Sequence, residues 1–444
     1  MQSQHFEALY PDTSRFEEIE KVAQFLKSGN SCQIVGMPGV GRGNIVGLLT
    51  YNHAIREKHL GHLSTWFHFV MVNFSEVRNK PLYEVTKLMF LELVDSLRER
   101  GMQDEYESVS TIFKDALSYT DELVLFQGLK KAIDFLSIEK EHTIIFLFER
   151  FETYIPMVTA DFFNNLRVLR NRAKYRFSVV FSLTRPLEDL IEPTLASDFY
   201  ELLAGHTVYV SLYDKPGFAF RLQYLEKVSD KSIDPELIKK ILSLTSGHGK
   251  LTKVCIEKCL QENVAAKDIT REFLLSSPTV QGTLFEIWSF LTPAEQEMLK
   301  EIATLPLVAR NDGFLENIGL VKNDTITIPL FEDFVHEHMK KEIDASMYFD
   351  ETTNTIKKGS QILSDSLTGA EFRLLRLLLS NKDRVIERDE IIAAVWQDAA
   401  STAGVSDQAI DQLIFRLRRK IEPDPNHPIL LLTIKGRGIK MQNI

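Results

Sequence analysis

Hydrophobic positions along the chain follow two spacings, one typical of helices and one typical of buried strands. Apolar residues at every third or fourth position predict a helix over residues 16–27, and a short apolar run predicts a strand over residues 32–35. Longer apolar runs beginning near residues 142 and 176 are typical of strands buried on both faces. Residues 75–140 carry the spacing of helices that cover a sheet. This order predicts an α/β domain with a parallel sheet.

Beyond residue 208 the strand patterns stop, and helical spacing continues to about residue 278. Residues 279–345 continue with helical patterns and then a short hairpin pattern, LVKNDTITIPL, which is typical of a winged helix. The last segment shows strands, three helical patterns and a hairpin around KGRG. The patterns therefore predict four domains, over residues 1–208, 209–278, 279–345 and 346–444.

The segment Ser406–Lys420 has a clear amphipathic pattern. One face carries four aliphatic residues, Ile410, Leu413, Ile414 and Leu417. The opposite face carries Gln408, Gln412 and Arg416, and the last turn carries Arg418, Arg419 and Lys420. A helix that is anchored by one face and presents amides and guanidinium groups on the other suits the DNA major groove. The simpler alternative is a basic C-terminus that only complements the helix dipole.

The sequence around this helix resembles the OmpR/PhoB-type winged helix, the DNA-binding output domain of bacterial response regulators. The resemblance rests on LTGAEFRLLRLLL from Leu367, VW at 395–396, VSDQAIDQLIFRLRRKIEPDP from Val405 and TIKGRGIKM from Thr433. It implies double-stranded DNA as a partner and a homo-oligomer on that DNA. It places the DNA contacts at Gln408, Gln412, Arg416, Arg418, Arg419, Lys435 and Arg437.

The recognition segment departs from the family at three positions. Gln408, Leu413 and Phe415 stand where arginine, histidine and arginine are common. The base preference of the family therefore cannot be transferred to this chain. A winged helix that binds protein instead of DNA is the alternative, because one fold hosts many functions.

A glycine-rich loop, GMPGVGRG at residues 36–43, lies between the predicted strand and a helix expected from about Asn44. This context favours a phosphate-binding loop, because glycines let backbone N–H groups converge on phosphate oxygens. Against the pattern G-x-x-x-x-G-K-[ST], Arg42 replaces the lysine and Gly43 replaces the hydroxyl residue that would bind magnesium. A tight turn that binds nothing also needs glycine and is the alternative.

In this order, the segments of residues 1–345 resemble the AAA-related STAND NTPases, a class of signalling ATPases. The loop GMPGVG, Arg185 at a strand end and GHG at 247–249 carry the resemblance. It implies ATP or ADP as ligand. It places the nucleotide-binding residues at Gly36, Gly39, Gly41, Arg42, Gly43, Asn44, Glu149, Arg185 and His248. The expected fold is therefore a multidomain α/β protein, with a P-loop NTPase domain followed by an all-α lid and two winged helices.

The departures from the NTPase pattern all weaken phosphoryl transfer. If the acidic pair of the family aligns with Glu149 and Arg150, its catalytic glutamate has become arginine. We expect weak or absent magnesium binding and slow or absent hydrolysis, and we assign no catalytic residue. A vacant pseudo-NTPase with only a structural role is an equally weighted alternative.

Charge and composition locate the DNA-binding end of the chain. Residues 346–444 hold 14 Lys and Arg against 13 Asp and Glu, whereas the remainder holds 38 against 49. No apolar run reaches the roughly 18 residues that span a bilayer, and the N-terminus lacks a signal pattern. We therefore expect a cytoplasmic protein with no membrane contact. Cys32, Cys255 and Cys259 predict neither a disulfide framework nor a metal site.

The leading hypothesis is a bacterial transcriptional regulator whose C-terminal winged helix binds DNA. Its degenerate STAND-type core would act as a switch or assembly platform, and a protein could supply the signal. An ATP-dependent machine in replication, transposition or antiphage defence is a second hypothesis, which Arg42 and Gly43 disfavour. A protein-binding scaffold is a third, in which Arg416 and Arg418 would not affect DNA association.

Overall fold

The computed structural model divides the chain into two compact units, Met1–Phe334 and Val335–Ile444, which are described separately. The structure describes residues 5–230, 232–304, 313–345, 347–358, 361–396, 406–422, 425, 428, 430–434 and 436–442.

Five parallel strands form the centre of the N-terminal unit. They are β1 (Cys32–Val35), β2 (Phe67–Asn73), β3 (Thr143–Glu149), β4 (Phe177–Leu183) and β5 (Thr207–Tyr209). Their order in the sheet is β2-β3-β4-β1-β5, and all neighbouring strands run parallel. Because the strands point the same way, the loops that follow β1, β3 and β4 meet at one edge of the sheet.

Nine helices accompany this sheet along the described part of the chain. They are α1 (Phe16–Lys27), α2 (Arg42–Tyr51), α3 (His53–Leu60), α4 (Leu82–Glu99), α5 (Gln103–Leu117), α6 (Glu122–Asp134), α7 (Ala160–Ala173), α8 (Leu187–Leu190) and α9 (Pro193–Tyr200). β1 and β4 are buried along their whole lengths, including the polar residues Gln33, Ser178 and Ser182, and the rest of both strands is apolar. Phe148, Phe151 and Phe162 belong to an aromatic cluster between β3 and α7. This core fixes the sheet edge where the loops converge.

The rest of this unit, as far as the structure describes it, is helical except for one hairpin. Its elements are α10 (Lys215–Ser229), α11 (Pro235–Thr245), α12 (Gly249–Gln261), α13 (Arg271–Leu275), α14 (Pro278–Ser289), α15 (Pro293–Thr304), α16 (Gly313–Asn317), β6 (Val321–Lys322), β7 (Thr325–Ile326) and α17 (Pro329–Ala345). α10 to α13 confirm the predicted helical segment. α14 to α16 and the antiparallel β6–β7 hairpin follow the order expected of the internal winged helix. The division between the two units falls inside α17, upstream of the predicted boundary at residue 345.

Two small antiparallel sheets and three helices form the described part of the C-terminal unit. The elements are β8 (Met347–Asp350), β9 (Thr355–Lys358), β10 (Gln361–Ile362), α18 (Gly369–Leu379), β11 (Val385–Ile386), α19 (Arg388–Val395), α20 (Asp407–Ile421), β12 (Leu431–Ile434) and β13 (Gly438–Met441). The sheet orders are β10-β9-β8 and β11-β13-β12. Aliphatic residues from all three helices and from β8, β9 and β11 to β13 share one core.

The α/β class with a parallel sheet and the C-terminal winged helix, both predicted from the sequence, are confirmed. In the described residues, no helix combines the length and apolar character needed to cross a membrane. α2 begins at Arg42, two residues before the predicted start, because Gly41 adopts a left-handed conformation with φ 99° and turns the chain directly into the helix.

Candidate DNA-binding surface and phosphate loop

The core of the C-terminal unit anchors α20 by one face. Its buried residues are Ile410, Leu413, Ile414, Leu417 and Ile421, so the predicted spacing is confirmed. Ser406 caps the helix, since its side chain accepts a hydrogen bond from the Ala409 N–H at 3.3 Å. The helix is therefore held in position at its start and along its length.

The opposite face of α20 is exposed and carries mixed chemistry. Its residues include two amides, an aromatic ring and two guanidinium groups: Gln408, Gln412, Phe415, Arg416 and Arg419. Phe415 keeps 49% of its surface exposed although it follows a buried neighbour in the sequence. The structure thus brings four of the predicted DNA-contact residues onto one surface, and it adds Phe415 to them.

Arg418 turns away from this face towards the hairpin of the winged helix. Its guanidinium group donates to the Leu431 carbonyl at 3.1 and 2.7 Å and to the Thr433 hydroxyl at 2.8 Å. Burial lowers the pKa of Arg418, against the opposing charge of Glu422. The family resemblance placed Arg418 among the DNA contacts, whereas the structure shows it joining α20 to β12. A DNA contact for Arg418 stays a prediction.

The β12–β13 hairpin forms the wing beside α20. Arg437 is exposed in its turn, whereas Lys435, also predicted to contact DNA, lies outside the described residues. Gly438 is needed where β13 passes β11, because a Cβ atom there would come within 2.1 Å of the Ile386 carbonyl oxygen. A concavity of about 960 Å³ lies between α20, α19 and the wing, and Phe415 and Arg437 are among the residues that line it.

Two carboxylates at the start of α20 pair with one arginine that the sequence did not single out. Arg388 pairs with Asp407 at 2.7 Å and with Asp411 at 2.9 Å. Exposed pairs of this kind contribute little to stability, on the order of 0–1 kcal/mol each. Their effect here is electrostatic, because they reduce negative charge beside the concavity. A spacing of 19 residues gave no local signal for this contact.

The loop between β1 and α2 has the geometry of an anion-binding turn. Gly39 and Gly41 have φ angles of 83° and 99°, which favour glycine. Asn44 and Ile45 donate their N–H groups to the Gly41 carbonyl at 3.1 and 3.3 Å. Within the described part of the chain, the N–H groups of residues 39–43 have no hydrogen-bond acceptor. Such a row of backbone donors at a helix start suits a phosphate group.

Protein donors hold the carbonyl groups of the same loop. The imidazole Nε2 of His248 lies 2.9 Å from the Pro38 carbonyl, and the Lys250 N–H donates to the Gly39 carbonyl at 3.0 Å. The buried Arg15 side chain donates to the Val40 carbonyl. The start of α12 and the start of α1 therefore fix this turn from outside.

His248, which the resemblance placed among the nucleotide-binding residues, makes structural contacts within the protein. Its Nδ1 accepts a hydrogen bond from the Leu251 N–H at 3.2 Å and so caps α12. Burial lowers the pKa of His248 to about 4, so the ring is neutral at physiological pH. With both nitrogens bonded to the protein, a direct contact of His248 with nucleotide stays a prediction.

Glu149 fills the space beside Gly43. A Cβ atom at residue 43 would lie 2.6 Å from the Glu149 Oε1, so a serine or threonine would not fit without movement. Arg42 donates to Glu152 at 2.9 Å, and the Thr184 N–H donates to the same oxygen at 2.5 Å. The residues present therefore do not fit a magnesium ion held in the usual way, because no hydroxyl ligand stands at residue 43.

Arg185 forms an ion pair with Glu295 of α15. Its guanidinium group forms a bidentate pair with Glu295, with one contact at 2.8 Å, and lies 4.5 Å from the centre of the Phe314 ring. The side chains of the pair are 12% and 10% exposed. Burial raises the pKa of Glu295, but the hydrogen bonds and charge of Arg185 and the Thr292 N–H outweigh this and lower it. A nucleotide contact for Arg185 stays a prediction.

A cavity of about 450 Å³ opens beside the loop at Val40 and Asn44. Aromatic side chains from two distant segments line it: Phe6, Tyr10, Phe218 and Tyr224. Its size lies within the range of small-molecule sites, and its lining suits a planar base. Sequence reasoning missed these residues, since neither segment carries a recognisable motif.

Comparisons with known proteins identify the C-terminal segment. Residues 365–441 match the family model described as "Transcriptional regulatory protein, C terminal". These residues form a transcriptional regulatory domain. The predicted resemblance to the OmpR/PhoB type is thereby confirmed for this segment of the chain.

Individual relatives match the chain over a small part of its length. Protein PetR of Rhodobacter capsulatus is 42% identical over 74 residues, which are 16% of this chain and 31% of that protein. The probable transcriptional regulator ycf27 of Galdieria sulphuraria is 41% identical over 78 residues, 18% of this chain and 30% of that protein. The chain therefore spans less than a third of the length of these curated relatives.

A solved structure, the Walker-type ATPase of Pyrococcus abyssi, is similar over 75% of this chain and 100% of that chain. The sequence identity is 14% and the TM-score is 0.45.

The buried pair Arg185–Glu295 generates a stability prediction. Arg185→Met leaves a buried carboxylate unpaired and should lower the free energy of unfolding by about 3–5 kcal/mol. The double variant Arg185→Met/Glu295→Leu should recover most of that decrease, because no charge then remains buried. Chemical denaturation of the full chain measures both. Lys239→Met, which breaks the exposed pair with Glu236, is the control and should change little. Equal decreases in the single and double variants would contradict this prediction.

His248 generates a pH prediction. The unfolded chain binds a proton at this ring below pH 6.5, whereas the folded chain binds it only near pH 4. The stability that neutral His248 contributes is therefore complete above pH 6.5 and is lost as the pH falls towards 4, by up to about 3 kcal/mol. His248→Gln keeps a donor but does not titrate, so its unfolding free energy should fall less between pH 7 and pH 4. Parallel slopes for the two proteins in denaturation would contradict the assignment.

Proposed function

We propose that this protein is a bacterial transcriptional regulator that binds double-stranded DNA through its C-terminal winged helix. The exposed face of α20, in a domain that matches a transcriptional regulatory family, is the observation that carries this proposal. Arg416, Arg419 and Arg437 are exposed and supply positive charge for phosphates. Gln408 and Gln412 supply paired donor and acceptor groups for base edges. A homo-oligomer on repeated half-sites is part of the proposal.

Removing one arginine at a time tests DNA binding. Arg416→Ala and Arg419→Ala should each weaken binding of the full chain to duplex DNA, because each removes one positive charge that pairs with a phosphate. The slope of log affinity against log salt should become shallower by about 0.9 for each arginine removed. Titrations of genomic fragments at several salt concentrations measure both quantities.

The matched control is Lys382→Ala, which removes one exposed positive charge elsewhere in the same unit. Lys382 precedes Asp383, whose N–H donates to the Met441 carbonyl at 3.0 Å, at the end of β13 remote from the wing turn. This variant should bind nearly as the wild type does. If the arginine variants weaken binding no more than Lys382→Ala, α20 is not the DNA-binding helix and the scaffold hypothesis gains.

We further propose that the N-terminal unit binds ADP or ATP without appreciable hydrolysis and acts as a switch or assembly platform. The N–H groups of residues 39–43, which lie next to the aromatic cavity, support this proposal. Glu149 stands beside Gly43 where a magnesium-binding hydroxyl would be needed. If the acidic pair of the family aligns with Glu149 and Arg150, the exposed Arg150 stands in place of the catalytic glutamate. A switch requires that nucleotide, or a protein that delivers a signal, favours one of two states of the regulator.

Nucleotide titration of the full chain tests the second proposal. ADP should bind with the same affinity in magnesium and in EDTA, and turnover of ATP should stay well below about 1 s⁻¹.

Gly41→Ala should weaken ADP binding. The φ angle of 99° at this position strains any residue other than glycine, and relief of that strain would move the neighbouring N–H groups. Gly101→Ala, with a φ of 69° and nothing near its Cβ position, controls for the strain alone. Absence of binding in both buffers would favour the vacant pseudo-NTPase, and rapid turnover would favour the ATP-dependent machine.

A further inference from the structure

The exposed face of α20 combines groups that match one kind of base pair. Gln408 and Gln412 are one turn apart and Phe415 follows three residues later, so all three lie on one strip of the helix. From residue 408 to residue 415 the helix rises about 10 Å, the length of about three base-pair steps. The strip is therefore long enough to face several consecutive base pairs.

The arginines of α20 lie nearer its C-terminus than the amides. Recognition helices of this kind contact base edges with their N-terminal residues. Gln408 and Gln412 lie in the N-terminal half and Phe415 lies near the middle, whereas Arg416 and Arg419 follow towards the C-terminus. Arg418 donates hydrogen bonds to the Leu431 carbonyl of β12 and does not lie on this strip. This order assigns the amides to base edges and the arginines to phosphates.

Phe415 is the informative residue on the strip. Single exposed apolar residues are common and need no explanation by themselves. Phe415, however, lies between Gln412 and Arg416 and lines the concavity together with Arg437. A phenyl ring cannot hydrogen-bond to a base edge or pair with a phosphate. In a major groove, the group that such a ring contacts favourably is the C5 methyl of thymine.

We infer that the exposed face of α20 recognises A·T base pairs, with Phe415 against a thymine methyl group and the glutamine amides on adenine. Glutamine matches adenine because its amide donates to N7 and accepts from the N6 amino group. The inference rests on the proposed DNA binding and specifies its preferred sequence. Phe415 stands where arginine is common in related domains. Because arginine pairs with guanine, we expect this chain to lack a guanine preference at that position.

Selection and base substitution test this inference on the full chain. Selection from a pool of randomised duplexes should enrich sites with consecutive A·T pairs. In the selected site, uracil then replaces each thymine in turn, which removes only the methyl group. At one position this change should weaken wild-type binding about fourfold, because burying one methyl-sized apolar group stabilises a complex by about that factor. Phe415→Ala should bind the thymine and uracil duplexes equally.

Two further variants sharpen the result. Phe415→Arg should shift the preference at that position towards G·C, because arginine pairs with guanine O6 and N7. Tyr348→Ala removes a ring that is 44% exposed on β8 and should preserve the thymine–uracil ratio of the wild type. Both substitutions change exposed side chains, so the melting temperature should stay close to that of the wild type.

The outcomes separate this inference from the proposed function. If wild type binds duplexes but enriches no A·T sites, or shows the same thymine–uracil ratio as Phe415→Ala, the inference is wrong and DNA binding stands. If no duplex is bound at any salt concentration, the proposed function fails and the inference fails with it.

Discussion

The turn between β1 and α2 depends on three hydrogen bonds from outside it. His248, Lys250 and Arg15 take up the carbonyl groups of Pro38, Gly39 and Val40. A buried carbonyl without a partner is costly, so these contacts fix the turn in one conformation. Within the described residues, the N–H groups of residues 39–43 donate to no acceptor, which is the property that a phosphate site needs. The helical segment after the sheet thus contributes directly to the shape of the loop.

Around this turn, the residues that depart from the NTPase pattern fit the contacts of their neighbours. Gly43 lacks a hydroxyl, and the Glu149 carboxylate occupies the space that a larger residue would require. Arg42 pairs with Glu152, and Arg185 pairs with Glu295. Both arginines that the NTPase resemblance placed at the nucleotide are thereby paired with carboxylates of the protein. These pairs support the proposal of nucleotide binding without appreciable hydrolysis.

In the C-terminal unit, charged side chains are divided between structure and surface. Arg418 and Arg388 hold the wing strand and the start of α20, respectively. Arg416, Arg419 and Arg437 remain exposed beside two amides and one phenyl ring. Positive charge supplies general attraction to phosphates, whereas amides and rings distinguish bases. The small net charge of the segment is therefore compatible with DNA binding, because the position of each charge matters more than their sum.

Local sequence determined the elements of this protein, and tertiary structure decided the roles of their charged residues. The periodicity of residues 410–417 predicted the buried face of α20, and the apolar run and glycines predicted β1 and its loop, because both signals lie within a few neighbouring residues. The partners of Arg185 and His248 lie 110 and 210 residues away, so no spacing along the chain could reveal them. Which basic residue faces solvent and which one holds the fold is decided by packing between distant segments, and that information exists only in three dimensions.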